Sequence, residues 1–204
     1  MSIVSGVDRH LFADPLAEMH RDRKRVFASL PGWGPPSLDD EFEIDQFDTD
    51  DATYVLIPES DASGHLGSVR LLPTTAPHLL SEVFPHLCEH GVPSDSDTWE
   101  ITRFCLRPGL DDPRSVQRQL TLALVEYALL QGIRQYTCAI SATTLPALLS
   151  VGWDCEPLGL PHQHDQDLLA ALSISITPAT LHAVSRVPVV RPSPLNWPAQ
   201  TPLG

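Results

Sequence analysis

Residues Thr98–Ser141 read TWEITRFCLRPGLDDPRSVQRQLTLALVEYALLQGIRQYTCAIS, and this stretch decides the fold. Thr98–Pro108 is an apolar run of strand type that ends in a loop broken by Pro108 and Gly109. From Pro113 the period changes. Val116, Leu120, Leu124, Tyr127 and Ala128 recur on one helical face, and Gly132 supplies a C-terminal stop. Ile133–Ser141 is then a second buried strand. Strand, helix and strand in succession point to an α/β layer arrangement. One feature resists a purely structural reading. Glu100 and Arg103 place two full charges inside the first strand, and charge is costly to bury unless paired and hydrogen-bonded.

Outward from this core the same rules mark other elements. Asp14 and Pro15 open a helix carrying Leu16, Met19, Val26 and Leu30, with Asp14 as its cap. PGWGPPSLDD, Pro31–Asp40, breaks it. Ala52–Glu59 and His65–Pro73 are strands joined across a turn, a hairpin pattern. His78–Cys88 is a short helix. Thr143–Gly152 is another, with Pro146 tolerated in its first turn. Asp167–Ile176 is ambiguous, its second half reading as strand, and Thr177–Val187 is a last helix. Five prolines between Pro188 and Pro202 exclude ordinary elements, so residues 188–204 are expected to be an extended tail behind a single domain over 1–187.

Composition narrows the function. The chain has 204 residues, 42% of them hydrophobic, and a formal net charge of −13, which argues against a nucleic-acid binder. No apolar run reaches spanning length, and the N-terminus lacks a basic start followed by an apolar core, so the expected compartment is the cytoplasm. Cys88, Cys105, Cys138 and Cys155 form no CxxC pair and read as reduced thiols, not a zinc site. No GxGxxG follows a strand and no GxxxxGK[ST] occurs, which leaves nucleotide-binding Rossmann and P-loop readings without support. Lys24 is the single lysine, so cationic recognition rests on arginine, which suits bidentate pairing with carboxylates. HRDRKR, His20–Arg25, is a basic cluster; Leu38–Asp51 is strongly acidic.

Motifs in order along the chain carry the functional signal. Arg23, Phe27 and Trp33 stand in an R-x3-F-x5-W pattern. Asp45 and Asp48 form D-x2-D, Arg70–Thr74 is RLLPT, and Glu100, Arg103 and Phe104 form E-x-x-R-F. Together they resemble the acyl-homoserine lactone synthases, the autoinducer synthases of quorum sensing, from Phe12 to Leu160. Phe84 also matches a family aromatic.

That resemblance implies an acyltransferase fold of the GNAT type: α/β, three layers α/β/α, with a splayed, V-shaped mixed sheet whose cleft takes the donor's pantetheine arm. It implies a transferase that acylates the amine of S-adenosylmethionine from an acyl-acyl carrier protein or acyl-CoA, then closes the lactone and releases methylthioadenosine. S-adenosylmethionine would be a substrate, with no resident cofactor and no metal. Its site would use Arg23, Phe27, Trp33, Asp45 and Arg103, Asp45 meeting the ammonium and the aromatic residues walling the sulfonium. Asp48, Arg70, Glu100 and Arg103 would form one charged network, with Glu100 as the base acting through water. Backbone N–H groups near Phe104 and Cys105 would steady the oxyanion. The acyl chain would contact Phe84, Phe104, Ser141, Thr143 and Leu148, with Leu122, Tyr136, Cys138 and Ile140 nearby. Ser141 or Thr143 would meet a 3-oxo or 3-hydroxy group.

An acidic carrier protein would need a local basic patch, for which His20–Arg25 and the set Arg107, Arg114 and Arg118 are candidates. HQHDQD, His162–Asp167, reads as a solvated loop more readily than as a metal cluster. RPGLDDPRS, with one glycine and two aspartates, is a poor cradle for CoA phosphates, which separates the chain from plain acetyltransferases. Two readings remain beside the synthase: a GNAT-type N-acyltransferase acting on another amine without lactonisation, and a ligand-binding relative without turnover. Methylthioadenosine release from S-adenosylmethionine, which only the synthase would show, discriminates it from the N-acyltransferase.

Overall fold

The computed structural model describes residues 1–27, 37–59 and 64–185. Its centre is one mixed sheet. The strands are β1 (Ser2–Ser5), β2 (Thr53–Pro58), β3 (His65–Pro73), β4 (Thr98–Leu106), β5 (Gln135–Ser141), β6 (Asp154–Pro157), β7 (His162–His164) and β8 (Asp167–Ser175), ordered β1-β2-β3-β4-β5-β8-β6, with β7 also paired to β8. The helices are α1 (Ala13–Phe27), α2 (Leu79–Glu82), α3 (Pro113–Gln131), α4 (Leu145–Ser150) and α5 (Pro178–Ser185). The β4–α3–β5 unit supplies the one parallel pairing among the described strands; the others are antiparallel.

Apolar runs in the strands are continuous because both sheet faces are covered. Along β2, Val55 and Ile57 pack on the α3 side with Val69, Leu71, Leu120 and Leu124. Tyr54 and Leu56 point the other way, toward Leu16 and Met19 of α1 and Leu80 and Phe84. This is the expected three-layer arrangement. Asp112 caps α3 through the Ser115 N–H at 3.1 Å, and Gly132 ends it with φ 73°. Helix α3 lies so close to β3 that a Cβ on Gly67 would meet Val116 Cγ1 at 2.7 Å.

Two irregularities open the sheet. The β3–β4 register shifts between Ser68 and Arg70, and Arg103, opposite, takes the left-handed φ of 51°. That is a β-bulge, which bends its strand. On the other side, β4 pairs with β5 only over Thr98–Glu100 with Gln135–Thr137. Past that point the two parallel strands separate, leaving the V-shaped opening.

Three sequence expectations need correction. Helix α1 continues directly from a 3-10 turn over Gly6–Phe12, so Asp14 lies in its first turn and is not its cap. Asp167–Ser175 is strand throughout: antiparallel neighbours bury it, and an apolar run bears no period to separate strand from helix. HQHDQD is the β7–β8 hairpin, turning at Asp165 with φ 49°. Strands β1 and β6 are too short to be seen as patterns. Residues 188–204 lie outside the described part.

Candidate functional site

Helix α1, the acidic loop before β2, and strands β3 and β4 converge on a buried knot of three arginines and three carboxylates. Arg70 grips Asp45 with two bonds, at 2.6 and 2.9 Å, and lies 2.9 Å from Asp48. Arg23 bonds Asp48 at 2.9 and 3.0 Å and Glu43 at 2.5 Å. Arg103 bonds Glu43 at 2.9 Å and Asp45 at 2.8 Å. The Tyr54 hydroxyl donates to Asp48 at 2.9 Å, and Arg70 Nε donates to Thr102 at 3.0 Å. The formal charges cancel, which is what makes burial tolerable. Burial alone would raise the Asp48 pKa, yet Arg70 and Arg23 outweigh it and hold this carboxyl far below its usual range.

The D-x2-D spacing has a local reason. The Asp45 carboxylate accepts from the Phe47 N–H and the Asp48 carboxylate accepts from the Asp45 N–H, so the loop ties itself into a turn that aims both acids inward. The bulge in β4 similarly turns Arg103 toward this loop. Its guanidinium sits 5.1 Å from the centre of the Phe27 ring, within cation–π range. Burial lowers the Arg103 pKa against the pull of Glu43 and Asp45.

Glu100 stands apart from the knot. Fully buried, it accepts from the N–H groups of Leu79 and Leu80 at 2.7 and 2.9 Å, at the start of α2. Burial pushes its pKa up to about 8, the two N–H bonds and the arginines opposing but not winning. The expectation that Glu100 joins Asp48, Arg70 and Arg103 in one ion-pair network is therefore corrected. The partner that Arg103 lacked in the sequence reading is Glu43, hidden among the acids of Leu38–Asp51 with no spacing to single it out.

Between the separated β4 and β5 lies a cavity of about 560 Å³. Phe27, Arg103, Phe104, Ile140, Ser141 and Leu148 are among its walls. Leu79, Ile101 and Cys138, the neighbours of Glu100 across α2, β4 and β5, also line it. Glu100 occupies the last rung, paired with Thr137, before the strands part. The cavity thus runs from the face of the charged knot, through Arg103, to an apolar interior. Of the expected acyl contacts, Phe104, Ser141, Thr143 and Leu148 line it. Phe84 does not: it is buried on the opposite face of the sheet, edge-on to His86 and His164. Leu122 and Tyr136 belong to the α3-side core. Asp45, expected to meet the ammonium, has both oxygens taken by Arg70 and Arg103. Trp33 lies outside the described residues.

The basic clusters are largely neutralised. Arg21 pairs with Glu18 and Glu41, Arg25 with Asp22, and Arg107 with Glu59. Lys24 bonds the Asp39 carbonyl. Arg114 is exposed and Arg118 half-buried, both in the first turns of α3.

Comparisons with known proteins agree with this geometry. The family model described as autoinducer synthase matches residues 9–184. The isovaleryl-homoserine lactone synthase of Bradyrhizobium diazoefficiens is 36% identical over 180 residues, covering 87% of this chain and 80% of the relative. A solved CoA-dependent acyl-homoserine lactone synthase, BjaI, with SAM and isopentyl-CoA, superposes with a TM-score of 0.80 at 34% identity, over 90% of this chain and 86% of the other. It has also been solved with MTA. A solved structure from Lactobacillus plantarum shares the fold alone, with a TM-score of 0.56 at 18% identity over 86% of this chain and 97% of the other.

Proposed function

The chain belongs to the autoinducer synthase family, and from that premise we propose how its residues divide the work of an acyl-homoserine lactone synthase. The reaction joins the amine of S-adenosylmethionine to an acyl thioester. The nitrogen attacks the thioester carbon, its proton goes to a base, and the thiol leaves. The amino acid's carboxylate oxygen then displaces the sulfonium at the γ-carbon, giving the lactone and neutral methylthioadenosine. The second step gains most from geometry, because attack is intramolecular.

Arg103 is assigned to the carboxylate of S-adenosylmethionine and Phe27 to its sulfonium, since these two line the cavity beside the charged knot. Glu43 and Asp45 fix the Arg103 guanidinium and favour its charged form, and Arg23, Arg70 and Asp48 in turn hold those two carboxylates and their loop in place. Glu100 is the base, reaching the amine through water, and its raised pKa suits proton uptake near neutral pH. The backbone N–H groups at the Arg103 bulge, released from ladder pairing, face the developing oxyanion. The observation that carries this division is a cavity walled by Arg103 at one side and an apolar lining at the other.

Acyl-CoA is the proposed donor. The solved relative is CoA-dependent. Here Arg21, Arg25 and Arg107, among the cations that an acidic carrier protein would need, are paired within the chain. The reaction needs no resident cofactor, and the cytoplasm is the compartment where both substrates are made. Expression in a bacterial host followed by mass spectrometry of the medium tests the reading: an acyl-homoserine lactone absent from the vector control supports it, and unchanged medium counts against it.

A further inference from the structure

Turning an ammonium into an amide removes two protons from nitrogen. As the carbon–nitrogen bond forms and the carbon–sulfur bond breaks, the departing thiolate takes one of them. The other must reach solvent. An α-amine is mostly the ammonium at pH 7, so each turnover there releases that second proton. Glu100, the base of the reading above, is fully buried. With both substrates in place the cavity beside it is filled, so the proton needs a route that avoids the cavity.

The sheet supplies one. Glu100 pairs in register with Thr137, Thr137 with Ser173, and Ser173 with Glu156. Residues in register share a face, with side chains about 5 Å apart. One rung across β4, β5, β8 and β6 therefore reads Glu, Thr, Ser, Glu. Exposure rises along it from 0% at Glu100 and Thr137 to 5% at Ser173, and Glu156 is exposed. The Thr137 hydroxyl is buried with no hydrogen-bond partner among the described residues. Leaving such a group unbonded costs about 1–3 kcal/mol, and this one stands between a carboxylate and a second hydroxyl. Ser173 Oγ accepts from Gln135 Nε2, which leaves its own hydrogen for the rung. A hydroxyl can accept one proton while donating another. The other titratable groups near Glu100 are poorer acceptors. Arg70 and Arg103 are cations. Burial pushes the Cys88 and Cys138 thiols up, and the Glu100 charge adds to it. His78 also has a buried unpartnered atom, Nε2, but it precedes α2 and belongs to no strand.

We propose that the proton surrendered to Glu100 leaves along this rung, through Thr137 and Ser173 to solvent at Glu156, with water bridging the side chains. Thr137 and Ser173 touch neither substrate; they are positioning residues that act through Glu100 by returning it to its ionised form. This rests on the assignment of Glu100 as base.

Steady-state thiol release from acyl-CoA and S-adenosylmethionine at pH 7, in H2O and D2O, tests it. Thr137→Val keeps the shape and removes the hydroxyl. It should lower kcat about tenfold or more, leave KM for both substrates within about twofold, and raise the solvent isotope effect, because proton exit becomes the slow step. Thr137→Ser should restore both rate and isotope effect. Ser173→Ala should behave like Thr137→Val, and the double variant should be no slower than the slower single one, as for two breaks in one path. Damage to packing would slow the enzyme without raising the isotope effect. Thr137→Val with the parent's kcat, or with a lowered kcat and the parent's isotope effect, overturns the proposal. Glu100→Gln separates the two levels. A slow Glu100→Gln beside a full-rate Thr137→Val removes the route and leaves the base assignment standing; a full-rate Glu100→Gln removes both.

Discussion

In the proposed division of work, Glu100 is the residue on which the chemistry turns. A carboxyl whose pKa is raised to about 8 is mostly protonated at pH 6 and mostly ionised at pH 9. A base must be ionised to act, so amide formation should rise with pH through that interval, with an apparent midpoint near 8. Glu100→Gln should abolish the rise and lower kcat about 10²- to 10⁴-fold. Pre-steady-state thiol release across that pH range checks both, and a flat parent profile would remove Glu100 from the role. Asp45 answers to a different measurement. Replacing it with Ala leaves Arg70 and Arg103 partly unpaired in a closed site, at a cost of about 3–5 kcal/mol. Denaturant unfolding should register that loss; a change within 1 kcal/mol would mean that water reaches the knot.

At the scale of elements, the bulge at Arg103 and the parting of β4 from β5 together create the cavity. Helix α4 closes it through Leu148. Leu148→Trp should fill the acyl region and raise the KM for a medium-chain acyl-CoA by at least tenfold, while calorimetric affinity for S-adenosylmethionine stays within twofold. Equal loss of both would show that the two substrates share that space. Elements with a strong period were legible from the residues alone: α1, the β2–β3 hairpin, and β4–α3–β5 stand close to where spacing puts them. The short strands β1 and β6 were not, because they owe their existence to pairing with distant partners. The site was legible in part for the same reason. Motif order named Arg23, Asp45, Asp48, Arg70 and Arg103, but no motif could show that Glu43 bridges Arg23 and Arg103 or that Glu100 turns to the start of α2. Each of these is a contact across many residues, fixed by the sheet.

For the whole molecule, the net charge of −13 sets the terms on which a donor approaches. Two acidic proteins repel unless a local patch is complementary, and Arg21, Arg25 and Arg107 of the candidate patches are engaged in internal pairs. With equal acyl chains, kcat/KM for acyl-CoA should therefore exceed that for acyl-acyl carrier protein by at least tenfold at low ionic strength, and the gap should narrow with salt as repulsion is screened. A carrier-protein donor that is preferred at low salt would contradict this.

The central claim is that one cavity holds a thioester beside S-adenosylmethionine and carries the pair through both steps. It is tested most directly by mixing purified protein, S-adenosylmethionine and acyl-CoA, and measuring free thiol and methylthioadenosine in the same samples. The two should appear in equal amounts, together with acyl-homoserine lactone. Thiol release with no methylthioadenosine would mean acyl transfer without lactonisation, and the account would fail.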